Sequence, residues 1–149
     1  MTIAKHLKGL SSQQLQKRPF FYEIKKMVPA ILLASLIGTH LDLFFVGMGV
    51  YSFPKRWLPE VFSINIVFTL IALPLLVSVY LFLMKRINVW KKAGLIFVIS
   101  LFAACAEKFA EEMGFFIHEV SWKHSYSFCG YIVFLICVYI FNRINFLSV

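Results

Sequence analysis

Charge is scarce in this sequence. Asp, Glu, Lys and Arg supply 15% of its 149 residues, against about 25% in soluble domains. Apolar residues supply 60%, against roughly 45–50%. A soluble chain of this length leaves about a third of its surface in water when folded, so it has nowhere to put so much apolar area. The catalytic signatures HExxH, GxSxG, the P-loop and GxGxxG are all missing. No CxxC is present either. Cys105, Cys129 and Cys137 lie in apolar stretches, where thiols behave as small hydrophobes; a Cys105–Cys129 pair is the one redox alternative. No repeat, low-complexity tract or domain boundary appears, and the first apolar run is not expected to be a secretory leader, since it is longer than the roughly 7–15 residues of a leader core.

What is present is four long apolar runs, near residues 27–50, 61–84, 93–116 and 127–147. Each exceeds the roughly 20 residues that carry a helix across a bilayer core. Short connections rich in Trp, Tyr and Pro join them, as at an interfacial aromatic belt. The expected fold is an all-α integral membrane protein, a four-transmembrane-helix bundle. Residues 1–26 form a basic arm and residues 27–149 the transmembrane domain.

Charge gives that bundle a direction. The net charge is +8, which in a soluble chain would raise nucleic acid as a partner. Here the basic residues flank apolar runs instead, so the lipid bilayer is the expected partner and nucleic acid is not. Of the fifteen Lys and Arg, eleven map to the arm, the second connection and the C-terminal end. The positive-inside rule then places both termini in the cytoplasm. Six of the seven acids, all but Glu23, map to the opposite half.

Ionisable groups within membrane spans are costly and normally face the bundle or a wet cavity. At about 100° per residue, Ser100, Ala103, Glu107, Glu111 and Gly114 share one face of the third span, with His118 beyond it. Ala106 and Ala110 make a small-residue row beside them, suited to close helix approach. Lys108 and Glu112, four apart, suit a local ion pair. In the first span Ser35, Gly38, Asp42 and Gly49 share a face. Asn65 and Thr69 lie together in the second, which Pro74 is placed to kink. Tyr126 and Gly130 are the inward candidates of the fourth.

These residues predict one acidic pocket lined by Asp42, Asn65, Glu107 and Glu111. Close carboxylates cannot all ionise cheaply, so one is protonated or a cation neutralises them. A divalent metal held by Asp42, Glu107, Glu111 and His118 is one reading; a proton relay or a structural polar core is another. His118 and His124 flank Trp122 in the last connection, as solvated histidines or as a metal or pH site. His40 lies about 160° around the helix from Asp42, which assigns it a structural bond, a contact with a partner or second protomer, or a second site.

The stretch Tyr51-Ser52-Phe53-Pro54-Lys55-Arg56-Trp57-Leu58-Pro59, with Phe62, Asn65, Phe68 and Pro74 after it, resembles an uncharacterised family of small multi-span membrane proteins from spore-forming Gram-positive bacteria. The resemblance covers about a quarter of the chain. It implies a multi-pass protein of a bacterial plasma membrane and says nothing of mechanism.

The expected function is that of a small binding or accessory protein with an outward-facing acidic pocket for a cation, proton or small polar ligand. A membrane enzyme acting on a lipid head group or peptide, with Glu107 as acid or base, and a structural subunit of a membrane complex or homo-oligomer are the alternatives.

Overall fold

The computed structural model describes residues 20–120 and 122–147. Four helices carry the fold: α1 (Phe20–Gly47), α2 (Phe68–Met84), α3 (Val89–Glu112) and α4 (His124–Leu147). Two short strands, β1 (Tyr51–Ser52) and β2 (Ile117–His118), lie between them. Helices α1, α3 and α4 are long and apolar enough to cross a membrane, and α2 is shorter. A helix satisfies its own backbone polar groups, which is what lets such a segment sit in hydrocarbon.

Helix ends depart from the apolar runs for local reasons. The expected first and third spans reached residues 50 and 116, but α1 stops at Gly47 and α3 at Glu112. Gly49 and Gly114 each adopt φ +73°. Behind them Gly49 N donates to Val46 O and Val50 N to Phe45 O. Gly114 N donates to Glu111 O and Phe115 N to Ala110 O in the same pattern. Both are Schellman caps, which glycine favours because a Cβ crowds the left-handed conformation. The expected second span opened at residue 61, yet residues 61–65 are not helical and α2 begins with a π-helical turn over Phe68–Ala72. Pro74 has no N–H to give to the carbonyl four residues back, and Leu73 N bonds Phe68 O, five residues back. The expected kink is thus a change of helical register. The expected fourth span opened at residue 127, three residues after α4 begins.

The closely packed helix pairs are α1 with α2, α1 with α4, and α3 with α4. The core lies toward the end that carries the start of α1 and the end of α2, where Lys85 Nζ meets Glu23 Oε2 at 2.8 Å. Met27, Ala30 and Ala34 of α1 pack there with Val77, Tyr80, Leu81 and Met84 of α2 and Leu135 and Val138 of α4. Tyr80 is buried and gives its hydroxyl proton to Leu135 O at 3.0 Å. Gly38 lets α2 close on α1, since a Cβ there would sit 2.5 Å from Leu73 Cδ2. Outward faces are apolar: Leu32, Phe44, Leu75, Phe102 and Val133 are each 60% exposed or more, the surface a lipid solvent would cover.

At the other end the two capped helices run into a ribbon. Strands β1 and β2 pair antiparallel, Tyr51 opposite His118 and Ser52 opposite Ile117. Glu119 N extends the pairing to Val50 O at 2.9 Å. Under the ribbon, Phe45, Tyr51, Phe53, Phe116 and Trp122 form a continuous aromatic cluster.

Candidate metal centre

The ribbon and the start of α4 bring two histidines to one carboxylate. His118 Nε2 lies 3.2 Å from Glu111 Oε2, and His124 Nε2 lies 3.3 Å from the same oxygen. Each element contributes for a local reason. The Schellman cap at Gly114 turns the chain out of α3 directly after Glu111. Strand β2 then returns His118 over that helix end, and α4 begins at His124. The imidazoles stand edge to face, 5.0 Å apart.

The second nitrogen of each ring is already committed. His118 Nδ1 donates to the backbone carbonyl of Glu119 at 3.0 Å. His124 Nδ1 donates to Glu107 Oε1 at 3.1 Å. In a neutral imidazole only one nitrogen carries a proton. Both Nε2 lone pairs therefore face an anionic oxygen, unless each ring is doubly protonated or a cation sits among the three atoms. A tetrahedral site with bonds of roughly 2.0–2.1 Å has ligand atoms about 3.3 Å apart, which the two Nε2–Oε2 separations match. One ligand atom from each of Glu111, His118 and His124 can be chosen so that all lie within 4.8 Å of one another.

Glu111 also gains nothing from its own helix. It lies in the last turn of α3, where the macrodipole disfavours a carboxylate. Two protonated imidazoles, or a cation among the three atoms, would supply the compensation that the helix does not.

Glu107, one turn deeper, has a side chain only 8% exposed. Its Oε1 accepts from Ser127 Oγ at 2.7 Å and from His124, and its Oε2 accepts from Tyr131 OH at 2.8 Å. Trp122 Nε1, a donor only, reaches Ser127 Oγ at 3.0 Å and so turns the serine proton onto Glu107. Three donors thus converge on one carboxyl group. The group fixes His124 rather than standing among the three converging atoms.

Asp42 lies on the α1 side of this network. Its Oδ1 accepts from Tyr51 OH at 2.8 Å. Burial first, and the Asp42 carboxylate second, push the Tyr51 phenol above its ordinary range, so it stays a donor. Tyr51 is also within electrostatic reach of Tyr131 and Glu107. Asp42, Glu107, Glu111 and His118 thus belong to one connected polar region, with His124 at its centre.

Other sequence expectations fall elsewhere. Asn65 is away from this region: its Oδ1 accepts from Phe68 N at 3.3 Å, capping the start of α2, and it lines a separate groove. His40 is exposed and gives its Nδ1 proton to Leu36 O of its own helix at 2.8 Å. Lys108 and Glu112 are both exposed and form no ion pair. Ala106 is exposed, and Ala104 packs inward in its place. Tyr126 and Gly130 point outward, whereas Ser127 and Tyr131 face Glu107. Cys105, Cys129 and Cys137 are free thiols.

Two site residues, Ser127 and Tyr131, escaped the sequence reading. Their signal is spacing: His124, Ser127 and Tyr131 at i, i+3 and i+7 form one polar stripe. It becomes visible only when the helix is begun at His124.

Comparison with family models, with curated proteins and with solved structures returns no match.

Proposed function

We propose that this chain is a small multi-pass membrane protein that binds a divalent transition-metal ion at its ribbon end through Glu111, His118 and His124. One observation carries the reading. Both imidazoles spend their Nδ1 protons on other acceptors and aim Nε2 at a single carboxylate oxygen at 3.2 and 3.3 Å. Imidazole and carboxylate together suit zinc and its neighbours better than calcium or magnesium, which prefer all-oxygen sites. Glu107 completes the arrangement as the carboxylate that orients a metal-bound histidine.

The setting is a bacterial plasma membrane with the basic end inside. The charge asymmetry of the connections and the resemblance of the first loop and second span support it. The metal site then opens outward. Three protein ligands leave a tetrahedral ion one open position, as in catalytic zinc sites. That favours, as a second reading, an enzyme acting on a head group or peptide at the outer leaflet. Glu107 already accepts from three protein donors, so in that reading its role is to hold His124.

The test is metal analysis of the full chain purified without chelators. One equivalent of metal in the wild type, lost in Glu111→Gln and in His118→Ala, supports the reading. Wild-type protein that stays metal-free after incubation with zinc, and shows no calorimetric binding, refutes it and leaves two imidazolium–carboxylate pairs as the account of the cluster.

A further inference from the structure

A second site stands apart from the histidines, in a groove of about 440 Å³ lined by Lys55, Arg56, Trp57, Asn65, Val67 and Phe115. The first loop, the start of α2 and the segment after α3 bound it. We propose that this groove binds the head group of an anionic phospholipid, with its phosphate between Lys55 and Arg56 and its acyl chains against Val67 and Phe115.

Charge is the first reason. Lys55 Nζ donates to Met113 O at 2.9 Å and lies 5.3 Å from the centre of the Phe115 ring. The Arg56 guanidinium donates to Phe53 O at 2.6 Å, to Pro59 O at 3.0 Å and to Phe62 O. These carbonyls hold both side chains in place without neutralising either. Among the described residues, neither cation has a carboxylate within ion-pair distance. An ammonium has three N–H donors and a guanidinium five, so both keep donors for an incoming phosphate. The groove therefore presents two positive charges that no carboxylate among the described residues pairs with.

Depth and lining are the second reason. A 24-residue helix such as α3 runs about 36 Å, enough to cross a hydrocarbon core of about 30 Å. Its end, with the groove, then falls at head-group level. Trp57 is 62% exposed there, where indole rings favour the membrane interface. Val67 and Phe115 are 41% and 42% exposed, apolar surface suited to acyl chains and unsuited to a free soluble anion.

Native mass spectrometry of the detergent-solubilised full chain tests this, titrating phosphatidylglycerol against phosphatidylcholine of matched acyl chains. The expected result is one retained phosphatidylglycerol, preferred over phosphatidylcholine. Lys55→Gln should weaken that binding about fivefold, the factor of one charge beside an anionic membrane surface. Lys55→Arg should retain it, and Lys123→Gln, the same charge change at the same end, should leave it intact. Val67→Trp, which fills the groove and keeps both cations, should also weaken it and serves if Lys55→Gln does not fold. Equal affinity for the two lipids, unchanged binding in Lys55→Gln and Val67→Trp, or displacement by millimolar inorganic phosphate would overturn the proposal. Metal content should not change in any of these variants.

Discussion

His124 gives its Nδ1 proton to Glu107 Oε1 across 3.1 Å, and that bond decides which nitrogen of the ring faces Glu111. Glu107 can do this because Ser127 and Tyr131 hold its two oxygens from α4 while α3 carries its backbone. Glu107→Gln keeps the shape but presents an amide that can turn its NH₂ toward the histidine. The expected outcome is a 10–100-fold loss of zinc affinity with metal still bindable at high concentration, measured by competition with a chromophoric chelator. An affinity equal to wild type would remove Glu107 from the site.

The two kinds of histidine should separate cleanly. His118→Ala removes a converging Nε2 and should abolish stoichiometric zinc binding. His40→Ala removes a ring bonded to its own helix at an exposed position and should leave zinc binding unchanged. Isothermal titration of both variants checks this, and a loss of binding in His40→Ala would require a contact between chains.

The caps make a prediction about stability. Gly114 holds φ +73°, a conformation that costs an L-residue roughly 1–2 kcal/mol. Gly114→Ala should lower the unfolding free energy in detergent by about that amount and weaken zinc binding, because the turn after Gly114 carries His118. Gly94, helical and with open space around it, is the control. Gly94→Ala should be neutral or stabilising by about 0.5–1 kcal/mol. Equal effects at the two positions would contradict the cap assignment.

Tyr80 tests the core. Tyr80→Phe keeps the packing and loses the bond to Leu135 O, an expected cost of about 0.5–1.5 kcal/mol. Tyr80→Ala also opens a cavity where α1, α2 and α4 meet and should cost about 3–5 kcal/mol. Thermal melts should rank wild type, Phe and Ala in that order, with zinc stoichiometry unchanged at the far end in Tyr80→Phe.

Much of this molecule was legible along the chain, because helices that satisfy their own backbone reveal themselves through composition alone. Hydropathy located all four, and 100° spacing placed Ser100, Glu107 and Glu111 on the inward face of α3. Gly49 and Gly114 could have ended α1 and α3 correctly, had hydropathy not carried the runs past them. Pro74 was readable as a disturbance, but whether it bends a helix or shifts its register depends on what packs against it. The polar stripe of α4 begins at His124 and continues through Ser127 and Tyr131; an apolar run that opens at residue 127 leaves out its first member, so only two of the three positions fall within the run.

The acidic cluster first noticed in the sequence is where the candidate site lies, but its membership is a tertiary matter. Glu107 and Glu111 are neighbours by helical spacing. His118 and His124 join them only because β2 pairs with β1 and folds the last connection back over the end of α3. Asn65, which the sequence grouped with the acids, is drawn into capping α2 because the chain ahead of it is not helical. Local periodicity determined which residues are apolar, helical and inward. Long-range pairing across 69 residues, from Val50 to Glu119, decided which side chains meet.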